Sequence, residues 1–297
     1  MTPFGRPVVS LSFYATQSVF SDPGDTAPRY AGLPRDPARL ARIVRDLMIH
    51  RVEGELFGHI HPTDRLYQDA ETRYIDDILR IIVERNDAPL TVRREPGDRF
   101  VGICRDFTLL HVSLLRHVGI PARLRSGFAD YFSSTGFHDD HVVTEYWDEK
   151  RGWLLADAQL ADPGITANWP VDFDPMDVAR SRFLVAGEAW RAIREGGADE
   201  TEFGLRLPGE EPFVGERFVA GNIRLDLAAL NKVETLLWDV WGEEEELERY
   251  DRVAPLVSGE VSFEAVRKVF AEDDVLRTPS TVTCYAPFVG THLVTLR

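Results

Sequence analysis

Cysteine is scarce here: the 297-residue chain has two, Cys104 and Cys284, far apart in sequence. Reduced thiols in a cytoplasmic protein are the natural reading of that usage. Long apolar runs are missing too, so no window has the length or apolarity of a transmembrane helix. The start, Met1 to Val9, carries Pro3, Arg6 and Pro7 but no long apolar core with a cleavage site, so no secretory signal is expected. Positive charge is outweighed, the formal net charge being −15, which argues against nucleic acid or an anionic membrane as a partner. No calcium-loop pattern, nucleotide motif, internal repeat or low-complexity linker occurs, and no cofactor is expected. Hydrophobic content of 44% and charged content of 28% are those of an ordinary soluble globular protein with ample core.

What is present concentrates between residues 100 and 160. Phe107, Leu110 or His111, Leu114, Leu115 and Val118 recur at helical spacing, which predicts a helix over 104–118. Gly119 stops it and Pro121 forbids continuation. Cys104 then falls in the first turn, where the positive end of the helix dipole favours thiolate over thiol and unpaired amides can hold an oxyanion. Gly102 allows close approach just before it. Val142 to Trp147 and the run around Trp153 to Leu155 read as a hairpin turning at Asp148 to Gly152. With Trp147 opposite Trp153, Asp157 comes opposite Val143, and His141 lies two residues from Val143 on the same face. Imidazole and carboxylate become diagonal neighbours, and a one-residue slip would separate them.

Gly102-Ile103-Cys104-Arg105-Asp106, the apolar helix, Gly119-Ile120-Pro121-Ala122-Arg123, the His141 strand and Gly152-Trp153 with Asp157 together resemble the transglutaminase-like superfamily. That superfamily includes transglutaminases, bacterial cysteine proteases, peptide N-glycanases and amide-forming enzymes, and the resemblance covers residues 95–160. It implies Cys104 as nucleophile, His141 as base and Asp157 as the group that orients the imidazole. It also implies an α+β fold: a transglutaminase-like (papain-like) core with the catalytic helix packed on an antiparallel sheet and helical additions at both ends. Departures exist. Many members have His-Ala-Trp where this chain has His141-Val142-Val143. Some use an upstream Trp or Gln to bind the oxyanion; here no Trp precedes Trp147, and the only upstream glutamines are Gln17 and Gln68. Gln17 is the one considered, and the second oxyanion donor stays unassigned.

The expected chemistry is acyl transfer. The Cys104 thiolate attacks an amide, ester or thioester carbonyl, and water or an amine resolves the acyl-thioester. Substrates would be small-molecule, peptide or carrier-bound acyl groups. A catalytically silent binding scaffold is the alternative. A Cys104–Cys284 disulfide would silence the nucleophile, and Cys284 reads as a buried structural thiol.

Elsewhere, Val8 to Phe20 has strand-like content. Asp36-Pro37 reads as the cap and first position of a helix with Leu40, Ile43, Val44, Leu47 and Met48 inward. A second helix is expected over 70–84. His59-Ile60-His61-Pro62 lacks a complete zinc ligand set and reads as an exposed loop pair. Gly136 to Asp140, with His138, reads as a mobile loop leading to His141, and metal binding there would compete with the base role. His111 and His117 read as packing or surface residues, Asp106 as a helix-dipole or loop-holding group, and Arg123 as an ion-pair anchor. Later helices are expected over 181–194, 223–238 and 263–270, strand over 281–295, and a solvated acidic run over 243–246. Taken together these give one elaborated domain over 1–297: a helical part (36–99), the catalytic core (100–160) and a C-terminal extension packed on it (161–297).

Overall fold

The computed structural model describes residues 7–207, 211–242, 246–259, 261–287 and 289–297. The start of the chain (1–6) and most of the acidic run (243–245) lie outside them. In chain order the first elements are α1 (Pro7–Tyr14), α2 (Pro37–Leu47), β1 (Met48–His50), α3 (Thr63–Gln68), α4 (Ile75–Arg85), β2 (Phe100–Gly102) and α5 (Cys104–His117). Next are β3 (Ala122–Ala129), β4 (His138–Asp148), β5 (Gly152–Ala156), α6 (Pro163–Thr166), β6 (Phe183–Val185) and α7 (Ala186–Arg194). The remainder forms β7 (Phe203–Leu205), β8 (Phe213–Val214), α8 (Glu216–Leu230), β9 (Asp239–Val240), α9 (Glu248–Val257), α10 (Phe263–Glu272), β10 (Thr281–Ala286) and β11 (Gly290–Thr295). The fold class is α+β.

Two compact units divide the chain. One comprises Met1–Leu124, Val143–Thr166 and Asp174–Asp177; the other comprises Arg125–Val142, Ala167–Phe173 and Val178–Arg297.

In the first unit α2 starts as its sequence dictates: the Asp36 carboxylate accepts from Arg39 N at 3.0 Å and Pro37 occupies the first turn. Leu40, Val44 and Leu47 of α2, Ile78, Leu79 and Ile82 of α4, and Leu110, Leu114 and Leu115 of α5 are buried. α5 packs on α2. It also meets β4, His111 Nδ1 lying 3.0 Å from Thr144 Oγ1. β4 pairs antiparallel with β5 in the expected register, Trp147 opposite Trp153 and Thr144 opposite Ala156. The Asp148 carboxylate shapes the turn by accepting from Lys150 N and Arg151 N at 2.8 and 2.9 Å. In the second unit the strand order is β6-β3-β4-β7-β8. There β3–β6 and β7–β8 are antiparallel and β4–β7 is parallel. Helices α7, α8 and α9 pack on one another, and β11-β10-β9 form a separate small sheet.

Several local expectations are corrected. Residues 7–14 form a helix, not a strand; Tyr14 is fully buried with its ring edge on Trp153 at 5.6 Å, and that packing overrides the β-branched content. α2 ends at Leu47, because Met48–His50 pairs in parallel with β2. β4 begins at His138 rather than after a loop, since His138 and Asp139 pair with Phe203 and Gly204. Within 181–194 the first part is strand β6 and only 186–194 is helix. α8 starts earlier than expected and stops at Leu230, where Asn231 Nδ2 donates to Leu227 O at 2.8 Å and Lys232 takes φ 64°. α9 had no counterpart in the sequence reading.

Candidate active site

Cys104 is the first residue of α5 and is buried, at 6% exposure. The chain arrives extended through β2, and Ile103 keeps φ −117° and ψ 173° before the helix begins. The cap comes from inside the helix: Asp106 Oδ2 accepts from Ile103 N at 2.9 Å, while Asp106 Oδ1 accepts from Arg105 Nη1 at 3.0 Å. A Cβ at residue 102 would lie 3.0 Å from that Oδ2 and 3.1 Å from Asp106 Cβ, so glycine there lets the cap close. Burial pushes the Asp106 carboxyl up to about 6, against the lowering pull of Arg105 and the Ile103 N–H.

β1 lies parallel to β2 with His50 opposite Gly102, and Arg51 N donates to Gly102 O at 2.9 Å. Arg51 is thereby brought beside the start of α5. Burial lowers its guanidinium below the ordinary value; the negative form of Cys104 raises it again, ahead of Asp106 and Glu71. No periodicity or motif pointed to Arg51.

Asp157 follows β5 directly. It caps the short 3₁₀ turn Ala158–Leu160, its Oδ1 accepting from Gln159 N at 3.0 Å and its own N donating to Pro175 O at 2.7 Å. The turn packs on α2 and α5. Gln159 Nε2 donates to Glu53 Oε1 at 2.7 Å, and Glu53 Oε2 pairs with Arg45 Nη2 at 2.7 Å, both side chains almost wholly buried. Glu53 was not foreseen either, because only the folded chain brings it to Gln159, two residues after Asp157. Asp157 also acts electrostatically on His111, whose imidazole burial pulls down to about 4. His111 Nε2 lies 3.1 Å from Pro37 O, so this histidine is a packed, hydrogen-bonded residue of the helix.

His141 lies in the part of β4 that belongs to the second unit, two residues before Val143, where the strand enters the first. It is 3% exposed, with the rings of Phe132, Tyr131 and Phe183 around it at centroid distances of 4.8, 6.0 and 6.3 Å. Its neighbour Asp140 has its carboxyl pushed up to about 7 by burial, opposed by the charge of His141 and a hydrogen bond with Asn222. Asp139 is held by Arg206 at 3.1 Å, and His138 stacks on Phe203 at 4.6 Å.

The other candidates resolve as follows. Gln17 Nε2 donates to Ser113 O at 2.9 Å and Gln17 Oε1 accepts from Ser21 Oγ at 2.7 Å, so its amide is engaged at the middle of α5 rather than at Cys104. His117 packs edge-on to Tyr30. His59 and His61 pack at 5.3 Å, and among the described residues no group of three ligating side chains includes either. Cys284 is a buried cysteine of β10, opposite His292. Arg123 pairs with Glu145 at 2.7 Å, both buried.

No curated protein matches the chain. One solved structure that resembles it is a candidate cysteine protease from Cytophaga hutchinsonii, at 18% sequence identity and a TM-score of 0.31, covering 53% of this chain and 46% of that protein. The chain thus spans under half of that protein's length. A family model described as the Transglutaminase-like superfamily matches residues 79–158, the stretch that includes Cys104, His141 and Asp157. Over those residues the chain is similar to that superfamily.

Proposed function

We propose that the protein is a cysteine acyl-transfer enzyme with Cys104 as nucleophile, His141 as base and Asp157 as the group that fixes the imidazole. The β4–β5 register carries this reading. With Trp147 opposite Trp153 the ladder runs to Thr144 opposite Ala156, and continuing that register would set Asp157 across from Val143, which is two residues from His141 on the same strand. The buried position of Cys104 at the helix N-terminus supports it, since the dipole there favours a thiolate.

In the proposed cycle the Cys104 proton passes to His141 and the sulfur bonds to the carbonyl carbon of an amide, ester or thioester. The Cys104 amide is one oxyanion donor. Collapse of the adduct breaks the bond to the leaving group, which takes the proton from the imidazolium. Water or an amine then attacks the thioester, and Cys104 recovers its proton through His141.

The test is iodoacetamide alkylation of Cys104 against pH, with mass spectrometry identifying the labelled cysteine. An ordinary thiol with a pKa near 8.5 is about 3% thiolate at pH 7, so an activated Cys104 should label up to roughly 30-fold faster. His141→Ala should remove most of that advantage. Ordinary labelling in the native protein, or no effect of His141→Ala, would overturn the proposal in favour of a silent scaffold. If it stands, trapping the acyl-enzyme with water or an amine separates hydrolysis from amide formation.

A further inference from the structure

Beyond Asp157 runs a buried chain of side chains that the mechanism above does not use. Asp157 Oδ1 accepts from Gln159 N at 3.0 Å, two residues on in the 3₁₀ turn Ala158–Leu160. The side chain of that same Gln159 is tied in turn, Nε2 donating to Glu53 Oε1 at 2.7 Å. Glu53 Oε2 then lies 2.7 Å from Arg45 Nη2 of α2. Asp157, Gln159, Glu53 and Arg45 are all buried and all belong to the first unit. Both far members are anchored. Glu53 N donates to His50 O at 2.9 Å at the exit of β1, and the rings of Phe57 and Phe107 lie 5.0 and 5.4 Å from the Arg45 guanidinium.

Two features separate this chain from an ordinary buried ion pair. An arginine–carboxylate pair closes most strongly as a two-pronged fork. Glu53 instead gives Arg45 one oxygen and Gln159 the other. The turn it grips is weak by itself: its bonds, Leu160 N to Asp157 O and Ala161 N to Ala158 O, are long at 3.2 and 3.3 Å. The 2.7 Å bond from Gln159 to Glu53 is much the shorter, so the place of the turn is set from outside it. The Gln159 amide moves with the turn, and the Asp157 carboxylate follows the amide from which it accepts. We propose that Glu53 is a positioning residue: through Gln159 it fixes the turn that holds the Asp157 carboxylate, and so keeps that carboxylate in the one orientation its proposed role requires. The proposal rests on the reading of Asp157 as the group that fixes the imidazole, and deepens it.

The experiment reads the rate of iodoacetamide labelling of Cys104 at pH 7, with circular dichroism confirming that each variant is folded. Gln159→Met cuts the tie while keeping the main-chain amide and the Arg45–Glu53 pair. Arg45→Met with Glu53→Met removes the pair together, so that no charge stays buried alone. Each should slow labelling about tenfold. Arg45→Met with Glu53→Gln restores an oxygen that can accept from Gln159 Nε2, and should return the rate to within about twofold of native. A merely structural role for Glu53 would make the two double variants alike. In an Asp157→Asn background Gln159→Met should change the rate by less than about twofold, because its effect passes through the carboxylate already removed. Native labelling in Gln159→Met, equal double variants, or a tenfold loss that persists beside Asp157→Asn would each overturn the inference. All three can occur with a fast, Asp157-dependent Cys104. Ordinary labelling of the native protein, or none of it lost in Asp157→Asn, strikes the proposed function itself and this inference with it.

Discussion

His111 and Asp106 share a helix and titrate against each other. His111 Nε2 faces a carbonyl, Pro37 O, at 3.1 Å, so that nitrogen carries the proton and Nδ1 accepts from the Thr144 hydroxyl. Burial pulls this histidine down to about 4 from an ordinary 6.5. Its folded pKa is depressed, so the stability it contributes is present above about 6.5 and is lost as pH falls toward 4, in all about 3 kcal/mol. Asp106 is raised to about 6 by burial, so its sign is opposite: the folded state binds the extra proton, and stability falls as pH rises from about 4 through 6. In the native protein the two slopes offset, and single variants separate them. His111→Gln should flatten the loss of urea midpoint between pH 7 and 4 relative to the native chain. Asp106→Asn should make that loss steeper, because it removes the group that gains stability on acidification. Parallel profiles for native protein and variants would show that neither group titrates as derived.

Strands β3 and β4 are tied by a buried charge pair, Arg123 Nε to Glu145 Oε2 at 2.7 Å, with side chains 5% and 0% exposed. The guanidinium also lies over the rings of Trp153 and Tyr14, at 4.1 and 4.9 Å. Arg123→Met leaves Glu145 buried without its cation and should destabilise by about 3–5 kcal/mol. The double variant Arg123→Met with Glu145→Met should recover most of that, because the desolvated charge is gone. Urea unfolding of the native protein and these two variants checks both statements, and a single-variant loss under about 1 kcal/mol would contradict them. Arg123 was readable as an ion-pair anchor but its partner Glu145 was not, whereas local patterns gave the start of α5 at Cys104, its stop at Gly119 with φ 77°, and the Trp147–Trp153 register. What stayed hidden depends on pairings between segments distant in sequence. Residues 138–140 read as loop because their partner strand, β7, lies far down the chain, and Met48 read as helix because β2 is likewise remote. Arg51 was invisible for the same reason: nothing in its own neighbourhood announces the helix it is delivered to.

At the scale of the whole chain, each of the two units gathers segments that are discontinuous in sequence. Among the described residues no helix is long and apolar enough to cross a membrane. The −15 formal charge then becomes a statement about stability, because surplus carboxylates repel more strongly in the compact state than in the unfolded chain. Exposed ion pairs such as Arg29–Asp87 and Arg151–Asp177 oppose this only weakly and are themselves screened by salt. Buried pairs such as Arg123–Glu145 and Arg125–Asp226 are screened far less. Raising ionic strength from about 0.01 to 0.15 M shortens the Debye length from about 30 to 8 Å, which removes long-range repulsion before it touches the buried pairs. The thermal midpoint should therefore rise by about 2–4 °C for each kcal/mol of repulsion relieved, and equally with sodium or potassium chloride. If the units melt separately, both transitions should move upward. A fall in midpoint over that salt range would mean that surface ion pairs, not net charge, dominate the electrostatics of the fold.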